Sequence, residues 1–155
     1  MENIKIMAID TSCDDTSVSI LSDDCTLSSI VTSQNDIHRE WGGVVPGLAK
    51  RAHIKYIDPC IKLALKRAKL DGIEDLNAIA VTYGPGLAPS LEIGIDKAKG
   101  LSKEFNLPLI AVNHIEGHVL SPLLRNSKGN YYMKIEDIKF PWLSLVISDG
   151  HTEII

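Results

Sequence analysis

Two histidines four residues apart, His114 and His118, stand in the stretch VNHIEGH that follows a run of apolar residues. Residues at this spacing share one face of a helix with Cβ atoms roughly 6 Å apart, so two imidazoles can reach one cation. A cation held there could polarise a carbonyl or phosphoryl oxygen. The same spacing also arises by chance on ordinary helices, and the spacing by itself leaves both interpretations open.

No spacing in the sequence identifies further metal ligands. His38, His53 and His151 are candidates without a diagnostic spacing. A zinc peptidase is excluded because its motif needs Glu directly after the first histidine, where this chain has Ile115, and Glu116 lies about 100° further around the helix. Disulfides and thiolate zinc sites are also disfavoured, because the cysteines are odd in number and form no CxxC pair: Cys13, Cys25 and Cys60.

Three further polar segments each allow a functional and a structural interpretation. Carboxylates in DTSCDD could bind a divalent ion or orient a reacting group, yet Asp is also common in turns. The glycines of YGPGLAPSLEIG permit close approach to a ligand or a tight turn, and ISDGHT could contact phosphate oxygens or form a hairpin turn. The residues concerned are Asp10, Asp14, Asp15, Gly84, Gly86, Ser148, Gly150 and Thr152.

The charge distribution points to one candidate surface for a polyanion. The chain has 16 Lys and Arg against 20 Asp and Glu, a net charge of −4, which argues against a surface built as a whole to bind nucleic acid. One predicted helix has a basic side, interpretable as a nucleic-acid contact or as an ordinary solvated face: Lys50, Arg51, Lys55, Lys62, Lys66, Arg67 and Lys69.

The histidine pair must be positioned by the helix that contains it. Asn113 is a predicted N-cap, with His114 opening the helix and Glu116 at its third position in a variant of the capping box. The positive end of the helix dipole disfavours imidazolium, so both rings are predicted to be neutral, as metal ligands must be.

The remaining elements predict a single α/β domain. The stretches IKIMAIDTS, TSVSIL and CTLSSIVTSQ read as a three-strand antiparallel meander, and strands then alternate with helices. A helix opening at Pro46 is expected to be kinked or divided at Pro59 and to end at Gly72. Residues 125–139 predict a surface loop, and FPWLSLVIS with GHTEII predicts a hairpin. No signal peptide or membrane span is indicated, which favours a cytoplasmic protein.

Taken together, the segments resemble the N-terminal half of the TsaD family, the tRNA N6-adenosine threonylcarbamoyltransferases. The blocks that carry the resemblance cover nearly the whole chain: IDTSCDDTSVSIL, SQNDIHREWGGVVPGLAKRAHI, AIAVTYGPGLAPSLEIGIDKAKGL, PLIAVNHIEGHVLSPLL and LVISDGHTEI. The resemblance implies one ribonuclease-H-like lobe of the actin-like ATPase and sugar-kinase superfamily, with a mixed sheet and flanking helices. Residues 1–155 are expected to form this lobe, without the second.

The resemblance also implies a site and a reaction. His114 and His118 would bind one iron or zinc ion with an Asp of the second lobe, and the segment Val146, Ile147, Ser148, Asp149 and Gly150 would contact threonylcarbamoyl-AMP. The group would pass to N6 of the tRNA adenosine beside the anticodon, with TsaB-like and TsaE-like partners. No single catalytic side chain is implied, and the lobe by itself is not expected to catalyse.

The chain departs from the family pattern at four positions, which keeps an alternative open. Asp10 and Gly47 each stand where the family usually has Glu, Pro89 replaces a small residue, and Asp149 replaces the first Gly of SGGHT. Asp149 would bring a carboxylate beside an adenylate phosphate. The alternative is a non-catalytic scaffold resembling TsaB or a degenerate copy, although TsaB-like chains lack the histidine pair.

Overall fold

The main sheet has five strands and mixed direction. The structure is a computed structural model that describes residues 3–148 and 151–155. Its sheet is formed by β1 (Lys5–Asp10), β2 (Asp15–Ser22), β3 (Cys25–Ser33), β4 (Ala78–Gly84) and β5 (Leu109–Asn113). The order across the sheet is β3-β2-β1-β4-β5, with β1, β2 and β3 antiparallel and with β4 and β5 parallel to β1. The predicted meander and parallel portion are therefore confirmed.

The helices alternate with the parallel strands. They are α1 (Asn35–His38), α2 (Pro46–Ala68), α3 (Ala88–Phe105) and α4 (His114–Leu120), accompanied by short 3-10 turns at Arg39–Trp41, Ile73–Asp75, Ser121–Leu123 and Ile135–Asp137. Among the described residues, no helix is both long enough and apolar enough to cross a bilayer.

Alternating apolar residues place α2 and α3 on one face of the sheet. Met7 and Ile9 of β1 are buried with Val18 and Ile20 of β2, because side chains two apart on a strand point to the same face. This row packs against the apolar side of both helices in one core cluster that includes Ile57, Ile61, Ala64, Ile79, Val81 and Ala98. Polar residues such as Asp10 therefore project from the opposite face.

Helix α2 corrects two details of the sequence-based prediction. Pro46 occupies the first turn as predicted, and Pro59, where a kink or a division was expected, does not divide the helix. It ends at Ala68 rather than at Gly72, because Lys69 takes the left-handed conformation (φ 59°). The N–H of Leu70 then donates to the Leu65 carbonyl, which is the closing hydrogen bond of a Schellman cap.

The last part of the described chain is a loop followed by a hairpin. Residues 125–139 contain one 3-10 turn and isolated β-bridges at Arg125 and Tyr131 but no helix or strand, which confirms the predicted loop. Tyr131 donates to Asp24 Oδ2 at 2.5 Å, and Arg125 is also paired with Asp24, so the loop is anchored to the β2–β3 turn. The predicted hairpin is confirmed as β6 (Leu145–Ser148) paired with β7 (His151–Ile154).

Candidate functional site

Three parallel strands lie side by side, and residues at or near their carboxyl ends come together. The register pairs Ile9 with Val81, so the next residues, Asp10 of β1 and Thr82 of β4, are neighbours on the face opposite α2 and α3. Thr82 is in turn paired with Val112 of β5, and His114 follows that strand directly. The carboxyl ends of parallel strands in an α/β sheet are where ligands usually bind.

Asp10 is the centre of this edge. Its Oδ1 accepts hydrogen bonds from the Ser12 backbone N–H at 3.0 Å and from Ser12 Oγ at 2.8 Å. Its Oδ2 accepts from Thr82 Oγ1 at 2.5 Å and lies 3.1 Å from His114 Nδ1. Each carboxylate oxygen thus has two neighbours, and all four can act as donors.

These contacts shift the pKa values of both ionisable groups. Burial of Asp10 by itself raises the pKa of its carboxyl, but the hydrogen bonds from His114, Thr82 and Ser12 outweigh burial and hold that pKa well below its usual range. The hydrogen bond to Asp10 raises the pKa of His114, against the opposing effect of burial. The pKa of His114 is therefore shifted in the direction opposite to that predicted from the helix start, because a carboxylate lies 3.1 Å from the ring.

The two predicted metal ligands lie together. Nε2 of His114 and Nε2 of His118 are 3.1 Å apart, and the rings meet edge to face at an interplanar angle of 78°. Zinc–imidazole bonds measure about 2.0–2.1 Å, so two nitrogens at this separation would subtend roughly 100° at one ion, close to tetrahedral geometry. The pair fits a divalent transition metal as two of its ligands.

The start of α4 orients the two histidines, and its N-cap is Asn113 as predicted. Oδ1 of Asn113 accepts hydrogen bonds from the N–H groups of Ile115 (2.9 Å) and Glu116 (3.2 Å), so Asn113 is the N-cap. This cap fixes the direction in which α4 leaves β5. His114 at the first helical position and His118 one turn later consequently present their rings on the same side.

Two other candidate ligands, His53 and His38, form hydrogen bonds in the protein interior. His53 is fully buried, with Nδ1 2.8 Å from Thr16 Oγ1 and Nε2 3.0 Å from the Cys13 carbonyl oxygen. His38 is also buried, with Nε2 3.2 Å from Gln34 Oε1. His53 thus contacts the turn that follows β1, whereas His38 contacts residues that flank α1 and α2. Nothing in the sequence pattern distinguishes these roles from metal ligation.

A third protein ligand is not found within the described ranges. No group of three or more His, Cys, Asp and Glu residues in 3–148 and 151–155 is arranged to hold an ion. The divalent-ion interpretation of Asp10, Asp14 and Asp15 therefore gains no support. Asp10 instead interacts with His114, a residue of a separate motif. The side chain of His151 lies outside what the structure describes.

The glycine-rich turn after β4 packs against protein. A Cβ placed on Gly86 would lie 2.5 Å from the Ser12 carbonyl oxygen, so the close approach predicted here is to the turn that follows β1. Leu87 N–H donates to the same oxygen at 2.7 Å. The structure therefore supports the tight-turn interpretation of this motif.

The segment expected to contact substrate begins on β6, next to α4. Residues of β6 and α4 have Cα atoms within 8 Å of one another. Val146 is buried, whereas Ile147 is 74% exposed. The backbone of Ser148 closes the β6–β7 pairing opposite His151. Asp149 and Gly150 lie outside the described residues.

The basic side of α2 consists of exposed residues and one residue paired with α3. Lys50 is paired with Glu92 of α3 at 2.7 Å, and the other basic residues of this side are exposed, including Lys55, Lys62, Lys66 and Lys69. They belong to the helix layer, whereas Asp10 and Thr82 project from the opposite face of the sheet.

Comparison with known proteins gives consistent matches. The family model described as "TsaD: tRNA N6-adenosine threonylcarbamoyltransferase" matches residues 25–155. Relatives of that name from Thermosipho melanesiensis and Persephonella marina are 44% and 47% identical to this chain, and each alignment covers 97% of it. The chain spans 43% and 41% of the length of these two relatives.

A solved structure supports the fold. YeaZ from Pseudomonas aeruginosa superposes with a TM-score of 0.53 over 71% of this chain and 44% of the other, at 24% identity. Together with the strand order β3-β2-β1-β4-β5, this similarity confirms the expected ribonuclease-H-like architecture.

Proposed function

This chain belongs to the TsaD family, and from that premise we propose that it supplies the metal-binding histidine half of a threonylcarbamoyl transfer site. The substrates proposed are threonylcarbamoyl-AMP and tRNA, with N6 of the adenosine beside the anticodon as acceptor. The single observation that carries the proposal is the 3.1 Å separation of the His114 and His118 Nε2 atoms at the carboxyl edge of the sheet.

The reaction requires positioning more than a nucleophilic side chain. The N6 amine attacks the threonylcarbamoyl carbonyl carbon, a new C–N bond forms, the bond from that carbon to the phosphate oxygen breaks, and AMP leaves as the amine loses a proton. A bound iron or zinc ion would supply Lewis acidity toward the mixed-anhydride carbonyl or its phosphate. Alignment of the two substrates would supply much of the remaining rate enhancement.

The residues of this chain have defined parts in that scheme. His114 and His118 would provide two nitrogen ligands, and Asn113 sets the direction of the helix on which they lie. Residues 146–150 are proposed to contact the adenylate, which the position of β6 beside α4 supports. The third protein ligand and the remaining substrate contacts are proposed to come from the part of the family relatives that this chain does not span.

Partners and location are proposed from family membership. TsaB-like and TsaE-like proteins are the expected partners, and the cytoplasm, where tRNA is modified, is the expected location. A TsaB-like scaffold is the less favoured alternative, because the family match is to the transferase and the two histidines have the geometry of metal ligands.

A chimera tests the proposal directly. Residues 1–155 of this chain would replace the matching segment of the Thermosipho melanesiensis relative, to which they are 44% identical. With tRNA, threonylcarbamoyl-AMP and the TsaB-like and TsaE-like proteins, the chimera should form threonylcarbamoyladenosine, measured by mass spectrometry of tRNA nucleosides. The same chimera with His114→Ala and His118→Ala should not. A folded chimera that binds metal but modifies no tRNA would contradict the proposal.

A further inference from the structure

We propose that Asp10 is a positioning residue for the histidine pair, fixing His114 in the tautomer that carries its proton on Nδ1 and leaves the Nε2 lone pair for a cation. The inference rests on the proposed function only in taking His114 as a metal ligand. It assigns a task to a carboxylate that is 104 residues away in the chain.

The hydrogen bonds around Asp10 determine the tautomer. An ionised carboxylate can only accept hydrogen bonds, so every polar atom within hydrogen-bonding distance of it must donate. Thr82 Oγ1 meets this condition by rotating its hydroxyl group, but His114 Nδ1 meets it only when it carries a proton. A bare Nδ1 would direct its lone pair at Oδ2 from 3.1 Å. The neutral His114 ring therefore has its proton on Nδ1.

This tautomer leaves Nε2, the other ring nitrogen of His114, without a proton. With Nδ1 protonated, Nε2 of neutral His114 has an available lone pair, and this is the atom 3.1 Å from Nε2 of His118. Histidines that bind metals commonly donate their second ring N–H to a carboxylate, which fixes the ring orientation and increases the basicity of the coordinating nitrogen. The pair Asp10 and His114 has this arrangement.

Asp10 is itself held from two directions. Ser12 donates twice to Oδ1 from the turn after β1, and Thr82 donates to Oδ2 from β4. Ser12 and Thr82 are both buried, at 4% and 7% exposure. Because both oxygens are occupied, Asp10 is placed to orient His114 rather than to coordinate a metal directly.

The test begins with the metal-free 155-residue chain. Two-dimensional ¹H–¹⁵N NMR of the imidazoles, recorded above the pH at which both rings titrate, assigns the tautomer of His114. The wild type should have Nδ1 protonated and Nε2 bare. Asp10→Asn should shift the population toward Nε2–H, because the amide can donate its own N–H to Nδ1.

Zinc titration provides the second measurement. Asp10→Asn should weaken Zn²⁺ binding by about 10- to 100-fold, the usual effect of losing such a partner. Asp10→Glu should restore the carboxylate and most of the affinity. Asp36→Asn removes the same charge from an exposed residue of α1 and should leave both tautomer and affinity unchanged.

Two results would overturn the inference: a wild-type His114 with its proton on Nε2, or unchanged Zn²⁺ affinity in a folded Asp10→Asn variant. If Asp10→Asn does not fold, the wild-type tautomer and the affinity of Thr82→Val decide instead. Thr82→Val removes a second hydrogen bond to Oδ2, so it should weaken Zn²⁺ binding less than Asp10→Asn but measurably; no change would count against the inference. Neither measurement involves tRNA or transfer, so failure of the chimera would leave this result intact.

Discussion

The Nε2 atoms of His114 and His118 lie 3.1 Å apart on one side of α4, immediately after the edge strand β5. Either replacement, His114→Ala or His118→Ala, should abolish specific Zn²⁺ or Fe²⁺ binding. Each variant removes one of the two imidazoles, so that only one protein ligand remains among the described residues. Metal content after equilibrium dialysis, measured by inductively coupled plasma mass spectrometry, provides the test. Glu116→Ala is a matched control, since Glu116 is exposed on the same helix. Equal metal content in wild type and both variants would contradict the assignment.

The N-cap of α4 should be measurable as stability. Asn113→Ala removes the acceptor for the N–H groups of Ile115 and Glu116 and should lower the free energy of unfolding by about 1 kcal/mol. Urea denaturation of the metal-free chain checks the value. Asn113→Asp retains a capping oxygen and should be nearly neutral, so equal losses in both variants would show that the cap is not the cause.

Replacing Gly86 or Gly100 with alanine should change the stability of the chain in opposite directions. Gly86→Ala would place a methyl group 2.5 Å from the Ser12 carbonyl oxygen, and the required backbone shift should cost roughly 1–3 kcal/mol. Gly100 lies inside α3 with open space around it, so Gly100→Ala should stabilise the chain by up to about 1 kcal/mol. Thermal unfolding of the two variants compares them. A stabilising Gly86→Ala would refute the close packing of the two turns.

His53 should make stability depend on pH. Burial lowers the pKa of His53, against the hydrogen bond to the Cys13 carbonyl and the charges of Asp10, Asp14 and Asp15. In the unfolded chain the imidazole takes up a proton near pH 6.5, whereas the native ring resists it, so stability is lost as pH falls through about 6.5. The slope contributed by His53 is at most about 1.4 kcal/mol per pH unit.

The pKa of His114 is raised, so its contribution has the opposite sign and is lost as pH rises. The His53 prediction is therefore best tested in the His114→Ala background. Urea denaturation there should show stability decreasing between about pH 7.5 and 5.5. His53→Gln should remove most of that slope, whatever it does to stability at neutral pH. An unchanged slope would mean that other groups cause the dependence.

Asp149 offers a test of the proposed substrate segment. Its carboxylate stands where the family usually has glycine, and negative charge near an adenylate phosphate opposes binding. In the chimera, Asp149→Gly should tighten binding of a non-hydrolysable threonylcarbamoyl-adenylate analogue, measured by isothermal titration calorimetry. Asp149→Asn separates the effect of charge from that of backbone freedom. No gain in either variant would show that Asp149 does not limit adenylate binding.

Local patterns predicted the elements that carry the site. Alternation of apolar and polar residues predicted β1, β2 and β3, and Asn113 before the histidines predicted the start of α4. These features depend on interactions between residues a few positions apart, which a sequence displays directly. The end of α2 was harder to predict from the sequence, because Lys69 adopts the left-handed conformation that glycine usually provides.

The sequence by itself indicated His114 and His118 as candidate metal ligands and predicted the helix on which they lie. Only the tertiary structure decided that Asp10 pairs with His114 and Thr82, across 104 and 72 residues, and that His38 and His53 are buried core residues. The pairing of Asp10 with His114 and Thr82 depends on the register of three parallel strands. The burial of the two histidines depends on how α2 packs against the sheet. Both are set by long-range burial of apolar surface, which no spacing within a single motif encodes.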